Sequence, residues 1–330
     1  MEDNQIFVSI CCLTYNHELY IRDCLEGFIK QKTNFPFEIL IHDDASTDKT
    51  QEIIREYEAI YPHIIKPLYQ KENQYSKGKG ISIKFQFPRA KGKYIAICEG
   101  DDYWTDPYKL QKQVDFLEKN DDYGLVYTEY DKLSQSNKRI EKNCFKNSSV
   151  IYPNTFEDFL INSWFIPPAT WVFRSLILDQ FYLKFKEEYV VGDLPLLLTI
   201  SANYKVGYID ESMAVYRVLK SSASHFKEYD KEYKFELGIF NIHLDFATSY
   251  NVDQSLVVRM KDRFYPYILF AACILNDIGV KQKSFTHLEE NKLLTKKMGY
   301  IYHITEYSLP RIVLKAYIVL KFRISNLYFR

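Results

Sequence analysis

The sequence predicts an α/β fold built on a mostly parallel sheet flanked by helices. Three observations carry this. Short continuous apolar runs, FVSICCL (7–13), FEILIH (37–42) and YIAIC (94–98), read as strands buried on both faces. Segments with apolar residues at helical spacing separate them. Polar and acidic clusters follow the runs directly, at the strand ends where open α/β sheets bind ligands.

The elements follow in chain order. After the first strand, Ile21, Leu25, Phe28 and Ile29 share one face of a helix over 19–32. The second strand runs into DDASTDKT (43–50), a loop dense in cap-forming residues in which Asp43 and Asp48 read as turn and cap residues. Ile53, Ile54, Tyr57 and Ile60 mark the next helix, and 64–69 the third strand. The fourth strand, 94–98, runs straight into EGDDYWTDP. A helix over 107–119 carries Leu110, Val114 and Leu117, with Pro107 suited to its first turn. The fifth strand covers 125–130, and 131–149 reads as polar loop. TWVF (170–173), the helix-like DLPLLLTISANY (193–204) and VGYIDESMAVYRV (206–218) form a mixed region, and from Phe226 onward the pattern is helical. Alternating β and α at this spacing argues for the parallel sheet.

Composition narrows the function. The 330 residues carry 43 Lys+Arg against 43 Asp+Glu, and a chain of zero net charge lacks the basic surplus of a general nucleic-acid coat. Hydrophobic residues at 47% exclude a mostly disordered chain. The six cysteines form no C-x-x-C pair, which disfavours a zinc ribbon and reads as reduced thiols in a cytosolic protein. The acidic N-terminus does not read as a signal peptide, and no run of about 18 apolar residues marks a membrane span. The expected location is therefore the cytoplasm.

The chemistry sits at three strand ends: Thr14-Tyr15-Asn16-His17, Asp43-Asp44 and Glu99-Gly100-Asp101-Asp102. Carboxylates gathered at one sheet edge repel each other unless something cationic sits among them. Hard carboxylate oxygens suit Mg²⁺ or Mn²⁺, above all when phosphates complete the shell. The edge reads as a metal–diphosphate site. Neither G-x-G-x-x-G after the first strand nor G-x-x-x-x-G-K-[ST] occurs, which disfavours a dinucleotide Rossmann site and a P-loop.

VSICCLTYNHE, EILIHDDASTDKT and GKYIAICEGDDYWTDPYKLQKQVDFLE, in that order, resemble the three signatures of family 2 glycosyltransferases of the GT-A fold. The likeness is strong over about residues 6–130 and weaker to about 217. It implies a donor that is a nucleotide diphosphate sugar, with UDP favoured. Thr14, Tyr15 and Asn16 would cradle the base and Asp44 would hydrogen-bond it. Asp101 would lie near the ribose, and Asp102 would hold the divalent metal. The chain has EGDD where a strict D-x-D would stand. Asp193, in VVGDLPLLL, matches the general base by context, with a plain helix cap as the alternative. Lys79, beside Lys77 and near Arg89, falls where related enzymes contact phosphate. His225 falls where some supply a late metal ligand; both also read as ordinary surface or core residues. Trp104 is open between core anchor and sugar-stacking platform.

The resemblance implies inverting transfer to a glycan or lipid-linked glycan acceptor in bacterial surface polysaccharide or lipopolysaccharide assembly. A GT-A domain over 1–217 (nucleotide-sugar half 1–104, acceptor half 105–217) is followed by a helical extension, 218–330. The rival readings are a sugar nucleotidyltransferase, against which CLTYNHE stands where a glycine-rich basic loop belongs, and a catalytically inactive glycan- or nucleotide-binding module. From Arg311 to Arg330 there are five basic residues, no acidic ones, and many apolar ones between. Such a stretch suits an anionic membrane surface, the inner face of the cell membrane, with a packed terminal helix as the alternative. Acceptor and a second copy of the chain are the extension's other candidate partners.

Overall fold

A computed structural model describes residues 5–78, 80–147, 154–161, 166–219 and 228–317. The expected phosphate contact Lys79, the expected metal ligand His225 and the last part of the basic stretch, 318–330, lie outside the described residues. The chain divides into two compact units, residues 1–159 with 164–218, and 160–163 with 219–330.

In the first unit, β1 (Val8–Thr14), β2 (Phe37–Asp43), β3 (Ile65–Tyr69) and β4 (Tyr94–Ile97) are parallel, in the order β3-β2-β1-β4. Helices α1 (Ile21–Ile29) and α2 (Thr50–Ile60) connect the first three. The sheet continues through β8 (Val172–Arg174), β6 (Tyr123–Ser134), β9 (Lys205–Val218) and β5 (Tyr103–Trp104), with β7 (Ile140–Glu141) paired to β6. Helix α3 (Lys109–Lys119) precedes β6; α4 (Phe156–Ile161), α5 (Leu178–Lys184) and α6 (Asp193–Asn203) lie between β7 and β9. This is the GT-A arrangement, with C-terminal helices following it.

Register decides what meets at the sheet edge. β1 pairs β2 from Val8↔Phe37 to Thr14↔Asp43, and β4 from Val8↔Tyr94 to Cys11↔Ile97. The chain leaving β4 therefore emerges beside Thr14–His17. The strands are held by burial: Val8, Ile10, Cys12, Ile39, Ile41, Tyr94 and Ala96 join one core with Leu25 and Phe28 of α1 and Leu110, Val114 and Leu117 of α3.

The polar stretch after residue 130 departs from the expected loop. β6 runs on to Ser134 because Asp131 to Ser134 pair Val215 to Val218 of β9. Asp131 is tolerated there because its carboxylate accepts from Lys142 Nζ at 2.6 Å, Asn143 N at 3.0 Å and Ser212 Oγ at 2.9 Å.

The second unit holds α7 (Tyr229–Ser249), α8 (Gln254–Leu275), α9 (Ile278–Glu290), α10 (Lys296–Ile304) and a helix over 308–317. Asp253, Asp277 and Thr295 accept backbone amides as N-caps of α8, α9 and α10, and α8 ends on Asn276 in the left-handed region (φ 63°). Among the described residues no helix is long and apolar enough to cross a membrane.

One buried cation sits under the loop that leaves β4. Lys109 is wholly buried, its Nζ 4.2 Å from the centroid of the Trp104 ring and 2.6 Å from Gln113 Oε1. Trp104 is buried too; its indole donates to Ala169 O at 2.8 Å and packs edge-on against Phe28. Of the two readings of Trp104, this geometry matches the core anchor. Burial pushes the Lys109 ammonium down to about 7 from 10.5. Between those pH values the unfolded chain binds the extra proton, so stability gains from this site as pH rises from 7 towards 10.5. Lys109→Met is expected to lose that gain. Urea unfolding of both proteins at neutral and alkaline pH checks it: the gap in stability should move in favour of the wild type as pH rises.

Candidate active site

The end of β1 is tied to the loop after β2. Asn16 adopts φ +54°, a region Asn tolerates. Its amide donates to Ser46 Oγ at 2.9 Å and its Oδ1 accepts from Thr47 N at 2.8 Å. His17 N donates to Thr50 Oγ1 at 2.8 Å. Asp48 lies in the turn just before the N-cap of α2, accepting from Thr50 N at 2.9 Å and from Glu18 N at 3.0 Å. Asp43 accepts from Ser46 N at 3.0 Å. Within this frame Thr14 is buried while Tyr15 is 43% exposed, an aromatic face open at the strand end.

Asp44 is buried and organises the next wall. Its amide donates to Thr14 O at 3.0 Å. Its two carboxylate oxygens accept from Gln74 N at 2.7 Å and Tyr75 N at 3.0 Å. The residue expected to meet the base thus also fixes the loop that would flank it.

The third wall is Glu99–Asp102. Gly100 donates its amide to Leu13 O at 2.9 Å, and a Cβ there would lie 2.5 Å from Thr14 Oγ1 and 3.0 Å from His17 Nδ1. Only glycine lets the loop leave β4 this close to β1. The two aspartates after it differ. Asp102 is buried and its Oδ1 accepts from Arg217 N at 2.7 Å. Asp101 keeps Oδ2 3.9 Å from His17 Nε2, while its Oδ1 is buried with no hydrogen-bond partner. Burial, and then the neighbouring Asp101, hold the Asp102 carboxyl well above the usual range. Burial outweighs the surrounding carboxylates at His17 and lowers its imidazole.

Two residues given no role in the sequence belong here. Glu99 is exposed at the exit of β4; the protein around it, then the charges of Asp101 and Asp193, hold its carboxyl above the usual range. Its signal was its place in the acidic cluster. Arg217, at the end of β9, is buried; its guanidinium lies between the rings of Tyr20 and Tyr103, 5.0 and 4.7 Å from their centroids. It donates to Asp23 Oδ2 at 2.8 Å, and its Nε has no partner. No local motif marks it, because its contacts lie over 100 residues away in sequence.

Asp193 opens α6, its Oδ1 accepting from Leu194 N at 2.8 Å. Although it begins a helix, desolvation pushes its carboxyl up to about 6. Glu99 feels the charge of both Asp101 and Asp193, so the Glu99–Asp102 loop and the start of α6 face one site. Among the described residues no three His, Cys, Asp or Glu side chains converge to hold a metal by themselves. A cavity of about 510 Å³ between α1 and Trp104–Pro107 is lined by none of these carboxylates and is a separate feature.

The model of the family described as Glycosyl transferase family 2 matches residues 9–181, over half of the chain. The chain belongs to the family 2 glycosyltransferases. Over 228 residues it is 35% identical to the uncharacterized protein Rv1520 of Mycobacterium tuberculosis, a match that covers 64% of this chain and 58% of that protein. The chain thus spans less than two thirds of this relative's length. Of solved structures, Staphylococcus aureus TarS 1–349 in complex with UDP-GlcNAc superimposes with a TM-score of 0.61 at 16% identity, covering 97% of this chain and 89% of that one. Mannosyltransferase PcManGT of Pyrobaculum calidifontis, in complex with GDP-Man and Mn²⁺, superimposes with a TM-score of 0.51 at 16% identity, covering 99% and 89%. At such identities the likeness is one of fold.

In this family 2 chain Gly100→Ala is the sharpest test of the edge. The added methyl must displace Thr14 and His17, at a cost of about 1–3 kcal/mol for overpacking. Thermal unfolding should show a lower Tm than that of the wild type.

Proposed function

We propose that the chain transfers a sugar from a nucleotide diphosphate sugar, UDP-linked, to a hydroxyl of a glycan or lipid-linked glycan acceptor, with inversion. One observation carries this reading: in a chain that matches the family 2 model over residues 9–181, the buried Asp102 and the unpartnered Oδ1 of Asp101 stand at the exit of β4 beside the end of β1, and Asp193 is near enough for its charge to reach Glu99 of the same loop. Donor-side and acceptor-side carboxylates then share one cleft. TarS and PcManGT, bound to UDP-GlcNAc and to GDP-Man with Mn²⁺, support the donor class. The role in bacterial surface polysaccharide or lipopolysaccharide assembly rests on the family resemblance.

The residues present fit a divalent Mn²⁺ or Mg²⁺. Asp101 Oδ1 is unpartnered, and Asp102 retains the oxygen it does not give to Arg217. Two carboxylates with donor phosphates are a common Mg²⁺ arrangement. When bound, such an ion offsets the charge that builds on the departing diphosphate.

The chain's own groups do the rest. Tyr15 offers a face to the base beside Asp44, while Asn16 holds the loop that carries it. Asp193, pushed up to about 6, is a stronger base than an ordinary aspartate and still ionised at neutral pH. It takes the proton from the acceptor hydroxyl, whose oxygen attacks the anomeric carbon opposite the nucleotide.

Asp193→Asn should lower kcat by about 10²–10⁴-fold and leave nucleotide binding intact. Because the base must be ionised, kcat should fall as pH drops through about 6. Sugar transfer assayed across pH for both proteins checks this; full turnover by the variant would remove Asp193 from the mechanism. Separately, UDP with Mn²⁺ at about 100 times its dissociation constant should stabilise the wild type by roughly 2.7 kcal/mol. Asp101→Ala and Asp102→Ala should lose the Mn²⁺-dependent part. A thermal-shift panel of UDP, GDP, dTDP and CDP, with and without Mn²⁺, names the base, and no shift with any of them would sink the donor assignment.

A further inference from the structure

The helix over 308–317 wears its apolar residues on the wrong side for a free surface. Leu309, Ile312, Val313, Ala316 and Tyr317 fall at i, i+3, i+4, i+7 and i+8, a single face. All five are exposed; Leu309, Ile312, Val313 and Tyr317 stand 71, 60, 61 and 59% open. The opposite side holds the helix to its own unit: Leu314 packs on the cluster of Tyr229, Tyr233 and Ile274, and Arg311 donates to Asn276 Oδ1 at the end of α8. Tyr307, just before the helix, and Tyr300 of α10 add exposed aromatic surface, at 70 and 66%. A docked helix normally buries its apolar stripe and exposes its charges; here the stripe faces out.

We propose that this stripe is a docking surface for an anionic lipid bilayer. Charge selects that occupant. Lys315 borders the stripe, Lys296 and Lys297 are exposed at the start of α10, and Glu306 is the single acidic residue from 296 to 330. Beyond residue 317 the sequence adds Lys321, Arg323 and Arg330 with no acid. Apolar side chains entering the headgroup–acyl boundary, with tyrosines at the interface and cations beside anionic headgroups, are the recognised chemistry of interfacial helices. A second copy of the chain would set like charges against each other across a two-fold axis. The inference does not depend on glycosyl transfer.

The test uses the full chain and vesicles of phosphatidylcholine alone or mixed with phosphatidylglycerol, read by co-sedimentation. The wild type should bind the mixed vesicles, bind the neutral ones far less, and release in high salt. Ile312→Glu/Val313→Glu alters two exposed side chains, so Tm should hold while vesicle partition falls about tenfold or more. Lys315→Glu should weaken binding and its salt dependence. Three results overturn the proposal: no binding to mixed vesicles; equal binding by the double variant; or an oligomer by analytical ultracentrifugation that the double variant dissociates.

Discussion

Glu99 lies in the field of Asp101 and Asp193, Asp102 in that of Asp101 and Glu99, and surrounding protein adds to hold Glu99, Asp102 and Asp193 above their ordinary range. Like charges in a cleft of low polarity are costly, and the rest of the first unit is arranged so that this cost can be met. Backbone amides rather than counter-ions do most of the holding. Asp102 takes the amide of Arg217, Asp193 that of Leu194, and Asp44 those of Gln74 and Tyr75. A neutral donor does not offset a carboxylate's charge, so ionising these acids together still calls for a cation. The one buried carboxylate oxygen in the Glu99–Asp102 loop left without any donor, on Asp101, is where that need is least satisfied.

Precision at this edge comes from the backbone. Strand register delivers Thr14 beside Asp43 on one side and the exit of β4 beside the end of β1 on the other. Gly100 removes the side chain that would otherwise collide with Thr14. Beneath the loop, Trp104, Lys109 and Gln113 form a buried support. Arg217, stacked between Tyr20 and Tyr103 and paired to Asp23, fastens α1, β5 and the end of β9 to the same loop. Loop residues that must repel one another are thus carried on elements that cannot easily part.

Legibility varied with how local the cause is. The turn roles of Asp43 and Asp48 were readable because a cap's partners lie within a few residues. The extension of β6 past Tyr130 was not, because polar residues hide the strand pattern and the pairing partner is about 80 residues away. Trp104 could not be placed between core and cleft from sequence, since an aromatic after an acidic cluster serves either. The roles of Glu99 and Arg217 needed the folded chain: one depends on which distant carboxylate the fold brings near, the other on three elements meeting.

By itself the sequence determined the class of fold, the order of strands and helices in the first half, and the family, because apolar periodicity and three ordered motifs are properties of contiguous residues. It also placed the acids at strand ends, where a parallel sheet exposes them to a ligand. Only the tertiary structure decided which of these acids has an oxygen to spare, how far each is pushed from its ordinary range, and that Asp193 shares their site across nearly a hundred residues. It also decided that the apolar face of the helix over 308–317 points outward. Desolvation and Coulomb energy depend on what surrounds a group in space, and no local pattern encodes those surroundings.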